Sequence, residues 1–225
     1  MKTLLFNGSP KGETSDTLKL GKAFLEGNFE PYELIDLIRM NVPPCRGCFA
    51  CWNQTPGQCA QAGDVNMLLS KISAADLIVW SMPLYCYGMP SHVKALVDHL
   101  VSFNTQTQVV DNEGHTHHGV RGNQQAKHVL VSGCGFPDYE DNFDALSMQF
   151  QRLFGKESPM VLCAEAPMFS ASQADIVTKP YLSLVQKAGA EFAQIGKISE
   201  ETQLLLSKPM IDPELYRSIC NGHSA

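Results

Sequence analysis

Residues 2–20, KTLLFNGSPKGETSDTLKL, decide the fold. Thr3, Leu4, Leu5 and Phe6 form a short apolar run that breaks at Asn7-Gly8-Ser9-Pro10, and apolar residues return with helical spacing at Leu18, Ala23 and Phe24. The pattern reads strand, polar turn, helix. At such a junction the unpaired N–H groups and positive end of the helix favour an anion. The hydroxyls of Ser9, Thr14, Ser15 and Thr17 surround that point, with Lys11 as the nearby cation. Neither GxxxxGK(S/T) nor GxGxxG is present, so the turn suits a phosphate monoester rather than a nucleoside triphosphate or dinucleotide loop. Taken alone, the same residues also describe an ordinary helix capped by Ser or Thr.

Working outward, the alternation repeats. Further strands are expected at Tyr32–Leu37, Asp76–Ser81, Lys127–Ser132 and Met160–Ala164, with helices at Ser15–Glu26, Asp64–Ser73, Ser91–Val101, Asn142–Phe154 and Ile176–Ile195. Strands alternating with helices predict an α/β fold, a doubly wound five-stranded parallel sheet with helices on both faces and right-handed crossovers, most simply in the order 2-1-3-4-5. In such a sheet every strand ends at one edge, so the loops after Phe6, Leu37, Ser81, Ser132 and Ala164 converge where ligands bind.

Two of those loops extend the reading of the first. Met82-Pro83-Leu84-Tyr85-Cys86-Tyr87-Gly88-Met89-Pro90 is rigid, aromatic and apolar, suited to lie along a flat heteroaromatic ring. Gly133-Cys134-Gly135-Phe136-Pro137 lets backbone N–H groups approach a ligand's polar edge. Each alone is compatible with a plain turn; a phosphate turn, an aromatic wall and a glycine loop on one edge together predict a site for flavin mononucleotide (FMN).

Length and composition narrow the class to one folded domain. A chain of 225 residues buries roughly 70–75% of its unfolded surface and needs no disulfide or metal to hold together. The formal charge of −6, from 17 basic and 23 acidic residues, and the lack of a Lys/Arg cluster argue against nucleic acid or an acidic membrane as partner. The apolar run before Asn7 is too short for a secretory leader, and no stretch approaches the ~18 apolar residues of a membrane span. A cytoplasmic protein is expected, and its eight cysteines then read as thiols or as metal or cluster ligands rather than disulfides.

The chain resembles the flavodoxin-like NAD(P)H-dependent FMN reductases, in the branch related to iron-sulfur flavoproteins. The resemblance is carried by Gly8-Ser9-Pro10-Lys11 with Ser15-Asp16-Thr17, by Pro83-Leu84-Tyr85 with Gly88-Met89-Pro90, by Ser132-Gly133-Cys134-Gly135-Phe136-Pro137, and by a cysteine loop. It implies bound FMN held by Ser9, Lys11, Ser15, Asp16, Thr17, Pro83, Leu84, Tyr85, Cys86, Tyr87, Gly88, Gly133, Cys134 and Gly135. It further implies NADH or NADPH as donor, and homodimers or homotetramers whose subunits share the flavin site. Asp16 departs from the Asn of many members, and its carboxylate is expected to point away from the phosphate.

The cysteine loop, Cys45, Cys48, Cys51 and Cys59, has the spacing C-x2-C-x2-C-x7-C. Three thiols at that interval suit a 4Fe-4S cluster, four thiolates suit tetrahedral zinc, and a redox dithiol is a third reading. Related iron-sulfur flavoproteins carry a shorter last gap. Residues 102–125 are an insertion with His115, His117 and His118 near its middle; a polar hairpin or arm is expected, since no carboxylate or thiol at a suitable spacing completes a metal site. His92 and His99 read as helix-face residues, and Met40, Met67, Met148 and Met160 as core fillers. One domain is expected over 1–225, with a helix at Glu200–Leu206 and a Pro213-initiated turn in a C-terminal extension over 197–225.

Functionally, these readings predict an FMN-dependent NAD(P)H oxidoreductase acting on a small acceptor such as a flavin, quinone or nitro compound, with no catalytic side chain demanded. The alternative is an electron carrier, of flavodoxin or iron-sulfur flavoprotein type, serving a protein partner.

Overall fold

The computed structural model describes residues 1–122, 125–171 and 173–222. In chain order the elements are β1 (Thr3–Asn7), α1 (Asp16–Leu25), β2 (Tyr32–Asp36), α2 (Ala50–Asn53), α3 (Val65–Ser73), β3 (Leu77–Pro83), α4 (Ser91–His99), β4 (Asn104–Val110), β5 (Thr116–Val120), β6 (Lys127–Gly133), α5 (Asp144–Phe154), β7 (Met160–Cys163), α6 (Asp175–Ile195), α7 (Glu200–Leu206) and α8 (Pro213–Cys220).

β2-β1-β3-β6-β7 form a five-stranded sheet, every pairing parallel. With β6 and β7 as fourth and fifth strands of the sheet, this is the doubly wound 2-1-3-4-5 order. Strand periodicity then builds two cores from one sheet. Leu5, Val79, Val129, Val131 and Val161 face α1 and α6, packing with Leu18, Phe24, Val185 and Phe192. Leu4, Phe6, Ile78, Trp80 and Leu130 face the other way, onto Leu68 and Ile72 of α3, Val93 and Leu96 of α4, and Leu146 and Phe150 of α5. Both faces of β1 and β3 are therefore apolar, which is why these strands read as near-continuous hydrophobic runs.

β4 and β5 form the expected hairpin, a separate antiparallel pair; residues 123 and 124 of that insertion lie outside the described set. Two readings change. Pro213 opens a helix rather than a turn, because Asp212 Oδ1 caps it by accepting the Glu214 and Leu215 N–H groups at 2.9 and 3.0 Å. Met67 and Met148 are exposed rather than core residues, since each falls on the outer side of its amphipathic helix; Met40 and Met160 do pack against the core. No helix among the described residues is long and apolar enough to cross a membrane.

Candidate cofactor site

At the carboxyl edge, the turn after β1 is built from the inside. Asn7, fully buried, donates from Nδ2 to Gly12 O at 3.0 Å and to Asp36 Oδ1 at 2.5 Å, and its Oδ1 accepts the Ser9 N–H at 3.2 Å. Gly8 N–H donates to Ser81 O at 2.7 Å, and His92 Nε2 donates to Gly8 O at 2.9 Å. The loop is thus tied to β2, β3 and α4 before any ligand arrives. Ser15 caps α1, accepting the Leu18 N–H at 3.1 Å, with the Thr17 hydroxyl 3.0 Å from its own. Thr14 does not join this group; it is exposed and donates back to Lys11 O at 2.9 Å.

Asp16 is buried, and each carboxylate oxygen has partners: Oδ2 accepts Lys11 Nζ at 3.2 Å, while Oδ1 accepts the Ser170 hydroxyl at 2.6 Å and lies 3.6 Å from Lys19 Nζ. Two cations against one carboxylate leave a net positive charge beside the helix start. The acidic residue expected to oppose a phosphate is thereby neutralised.

The second wall begins where Leu84 N–H donates to Gly133 O at 2.8 Å. Beyond it, Tyr85 and Gly88 exchange N–H···O bonds at 3.1 and 3.0 Å, closing a two-residue turn whose central residues Cys86 and Tyr87 have φ of 47° and 62°. That turn lifts Tyr85 and Tyr87 into solvent, at 47% and 55% exposure. The third wall pairs two loops: Cys134 N–H to Cys163 O at 3.0 Å, Ala166 N–H to Cys134 O at 2.9 Å, and Glu165 N–H to Phe136 O at 2.9 Å. Gly133 is the hinge of this packing, since a Cβ there would lie 2.6 Å from Ala166 Cβ and 3.2 Å from Thr17 Cγ2. Burial pushes the Cys134 thiol upward, so it stays a protonated thiol rather than a nucleophile.

The three walls enclose one cavity of about 250 Å³, lined by Ser9, Lys11, Ser15, Asp16, Thr17, Pro83, Leu84, Tyr85, Gly133, Cys134, Gly135, Ala166 and Pro167. Cys86, Tyr87 and Gly88 are brought beside it by the turn but do not line it. Ala166 and Pro167 went unread in the sequence because nothing marks a short apolar segment after β7 as a wall. A larger cavity of about 570 Å³, lined by residues such as Ile72, Val97, His128 and Phe154, lies apart and shares no lining residue.

A family model described as a flavodoxin-like fold matches residues 1–156. This chain belongs to that flavodoxin-like family. Among curated relatives, an iron-sulfur flavoprotein of Methanocaldococcus jannaschii is 34% identical over 101 residues, covering 44% of this chain and 51% of the relative. An FMN-dependent NADH:quinone oxidoreductase of Pseudoalteromonas atlantica is 28% identical over 138 residues, 57% of this chain and 65% of the relative. The chain spans about half the length of the first curated relatives it matches, 51% and 48%. Among solved structures, an FMN-dependent NADH-azoreductase from Bacillus anthracis in complex with FMN superposes with a TM-score of 0.58 at 20% identity, covering 85% of this chain and 99% of that one. At that identity it attests the shared fold.

In this member of the flavodoxin-like family the cysteine loop follows β2 at the same edge but encloses a separate pocket of about 20 Å³, lined by Cys45, Cys48, Cys51, Cys59 and His99 among others. His99, on the last turn of α4, is buried. Its Nε2 donates to Pro43 O at 2.8 Å, which leaves Nδ1 as the acceptor facing Cys59 Sγ at 3.6 Å. The Gln61 N–H also donates to that sulfur at 3.4 Å. Trp52 anchors the loop by donating to Val101 O at 2.9 Å, and it packs on Phe49 and on His118 of the hairpin at centroid distances of 4.5 and 4.8 Å. The four cysteines expected as metal ligands do share one pocket; yet among the described residues no three His, Cys, Asp or Glu groups are arranged to hold a metal ion. At the hairpin tip, Asp111 accepts His117 Nε2 at 2.7 Å and the His115 N–H at 2.9 Å, so these histidines serve the turn.

Proposed function

We propose that this chain is an FMN-dependent oxidoreductase that takes electrons from NADH or NADPH and passes them to a small acceptor such as a flavin, quinone or nitro compound. The observation that carries the reading is the convergence of the phosphate turn, the aromatic wall and the glycine loop on a single cavity at the carboxyl edge. The printed names of relatives, FMN-dependent NADH:quinone oxidoreductase and iron-sulfur flavoprotein, support it.

When bound, FMN supplies the redox chemistry, accepting a hydride from nicotinamide and giving electrons to the acceptor. The residues divide the remaining work. Ser9, Ser15 and Thr17 present hydroxyls to the phosphate, and the net charge of the Lys11, Lys19 and Asp16 group draws it to the start of α1. Gly133 and Gly135 bring main chain against the ring's polar edge, and Pro83, Leu84 and Tyr85 supply an apolar flank. The exposed rings of Tyr85 and Tyr87 beside an open cavity favour an enzyme over an electron carrier, because they offer a shelf on which a planar acceptor stacks.

The cysteine loop has the donor chemistry of an iron-sulfur site, a reading supported by the relatives named iron-sulfur flavoprotein, and the reaction described here requires no cluster. We place the protein in the cytoplasm as a single domain over 1–225, without nucleic acid or membrane partners. A homodimer or homotetramer would cover the exposed Val109, Val110 and Val120 of the hairpin.

Two measurements test the reading. Protein mixed with FMN should acquire a bound-flavin spectrum; a chain that remains colourless after dialysis refutes it. Stopped-flow mixing with NADH or NADPH should bleach the flavin within a turnover, and failure with both would leave the electron carrier. Iron analysis of protein purified without oxygen settles the cysteines, with about four iron per chain marking a cluster.

A further inference from the structure

The segment after α6 lies outside the stretch matched to the family, yet it reaches the cofactor cavity from behind. The buried Tyr216 of α8 donates its hydroxyl to Gly135 O at 3.2 Å. Glu165, wholly buried and at φ 56°, accepts the Met210 and Ile211 N–H groups on Oε2 at 2.6 and 3.2 Å. A third tie runs from the Tyr181 hydroxyl to Leu206 O at 2.8 Å. Residues 206–216 are therefore fastened to the two loops that form one wall of the cavity.

The orientation of one peptide follows. The Gly135–Phe136 bond is trans, so its C=O and N–H point in opposite directions. A carbonyl held by Tyr216 turns the Phe136 N–H to the opposite side, and none of the described main-chain bonds uses that N–H. Gly133, Cys134 and Gly135 line the cavity, while Phe136 and Tyr216 do not. Burial and the adjacent Cys220 thiol push the Tyr216 phenol upward, which keeps it a donor. The left-handed conformation of Glu165, unfavourable for a residue with a side chain, is held by two main-chain donors at a site where strain is otherwise unexplained.

We propose that Tyr216 and Glu165 are positioning residues of the cofactor site: the C-terminal segment fixes the loop whose Gly133, Cys134 and Gly135 line the cavity, so that the main chain of this wall is held toward the polar edge of the flavin ring. This rests on the FMN reading above. Tyr216→Phe removes one hydroxyl and leaves the ring packed. In the full chain without FMN, amide exchange over 133–137 should accelerate in the variant; in the loaded protein FMN affinity should fall by about threefold to tenfold, the worth of one neutral hydrogen bond.

The flavin midpoint potential should also become more negative, since the reduced, electron-rich ring loses a held donor; loss of packing alone would leave it in place. Glu165→Ala should act in the same direction, and Glu165→Gln, which keeps an oxygen for Met210 and Ile211, should restore binding. A wild-type chain that takes up no FMN refutes the function proposed above and this inference with it. Wild-type binding together with unchanged exchange, affinity and potential in Tyr216→Phe overturns this inference alone.

Discussion

The two edges of the central sheet solve the same geometric problem with different residues. Among the turns that feed strands at the amino edge, the left-handed positions belong to glycine, Gly27 before β2 and Gly155 before β7. At the carboxyl edge glycines take such positions too, Gly12 after β1 and Gly47 after β2, but five residues with side chains join them: Phe49 after β2, Cys86 and Tyr87 after β3, Asp141 after β6 and Glu165 after β7. Left-handed backbone costs an ordinary L-residue about 1–2 kcal/mol that glycine does not incur. One edge is therefore built for stability. The other keeps side chains where glycine would be more comfortable, and this is the edge that carries the cavity and the cysteine pocket. Strain located this way marks a site independently of any ligand.

The largest effect expected at the carboxyl edge comes from the phosphate turn. Replacing both Ser9 and Thr17 by Ala removes two donors to a phosphate dianion, and at ~1.5–3 kcal/mol for each charge-assisted bond FMN affinity should fall on the order of 100-fold or more. Fluorescence titration of the apoprotein measures this; an unchanged dissociation constant would move the phosphate elsewhere.

At the amino edge the next effect is a pH dependence. His128, at the start of β6, accepts the Trp80 Nε1–H at 3.0 Å on Nδ1 and stacks on Phe154 at 4.0 Å; burial lowers its pKa to about 4 from 6.5. The unfolded chain thus binds a proton below about 6.5 that the folded chain refuses until about 4. Stability contributed by the neutral ring is present above that window and is lost as pH falls through it, by about 3 kcal/mol in all. Urea unfolding between pH 7 and 4 should show this slope, and His128→Gln should flatten it. A slope retained in the variant would assign the effect to carboxylates.

The smallest effects compare the edges directly. Gly155 has φ 110° and ψ 147°, a region nearly closed to other residues, so Gly155→Ala should cost about 1–3 kcal/mol of stability and leave FMN affinity alone. Cys86→Gly should do the reverse. It relieves one left-handed residue, changing stability by no more than about 1 kcal/mol, while the loosened turn weakens flavin binding severalfold. Equal behaviour of the two variants in chemical denaturation and flavin titration would erase the distinction between the edges.

Much of this molecule was legible in the amino-acid sequence. Apolar runs at 3–6, 77–80 and 129–131 and the helical spacing between them determined a doubly wound sheet, because a strand buried on both faces leaves no other periodicity. Asn7-Gly8-Ser9 and the prolines at 83 and 90 marked loops whose chemistry is local, and their meeting follows from the rule that parallel strands end at one edge. Only the tertiary structure decided the rest. It sealed the Asp16 carboxylate with Lys19 and Ser170, and buried His99 against Cys59. It supplied Ala166 and Pro167 as a wall, and brought Tyr216 to Gly135. The Asp16–Ser170, His99–Cys59 and Tyr216–Gly135 contacts join residues distant in the chain through side-chain atoms, and the Ala166 wall is held by main-chain bonds to the loop after β6; such contacts leave no period, cap or turn signal in the segments that make them.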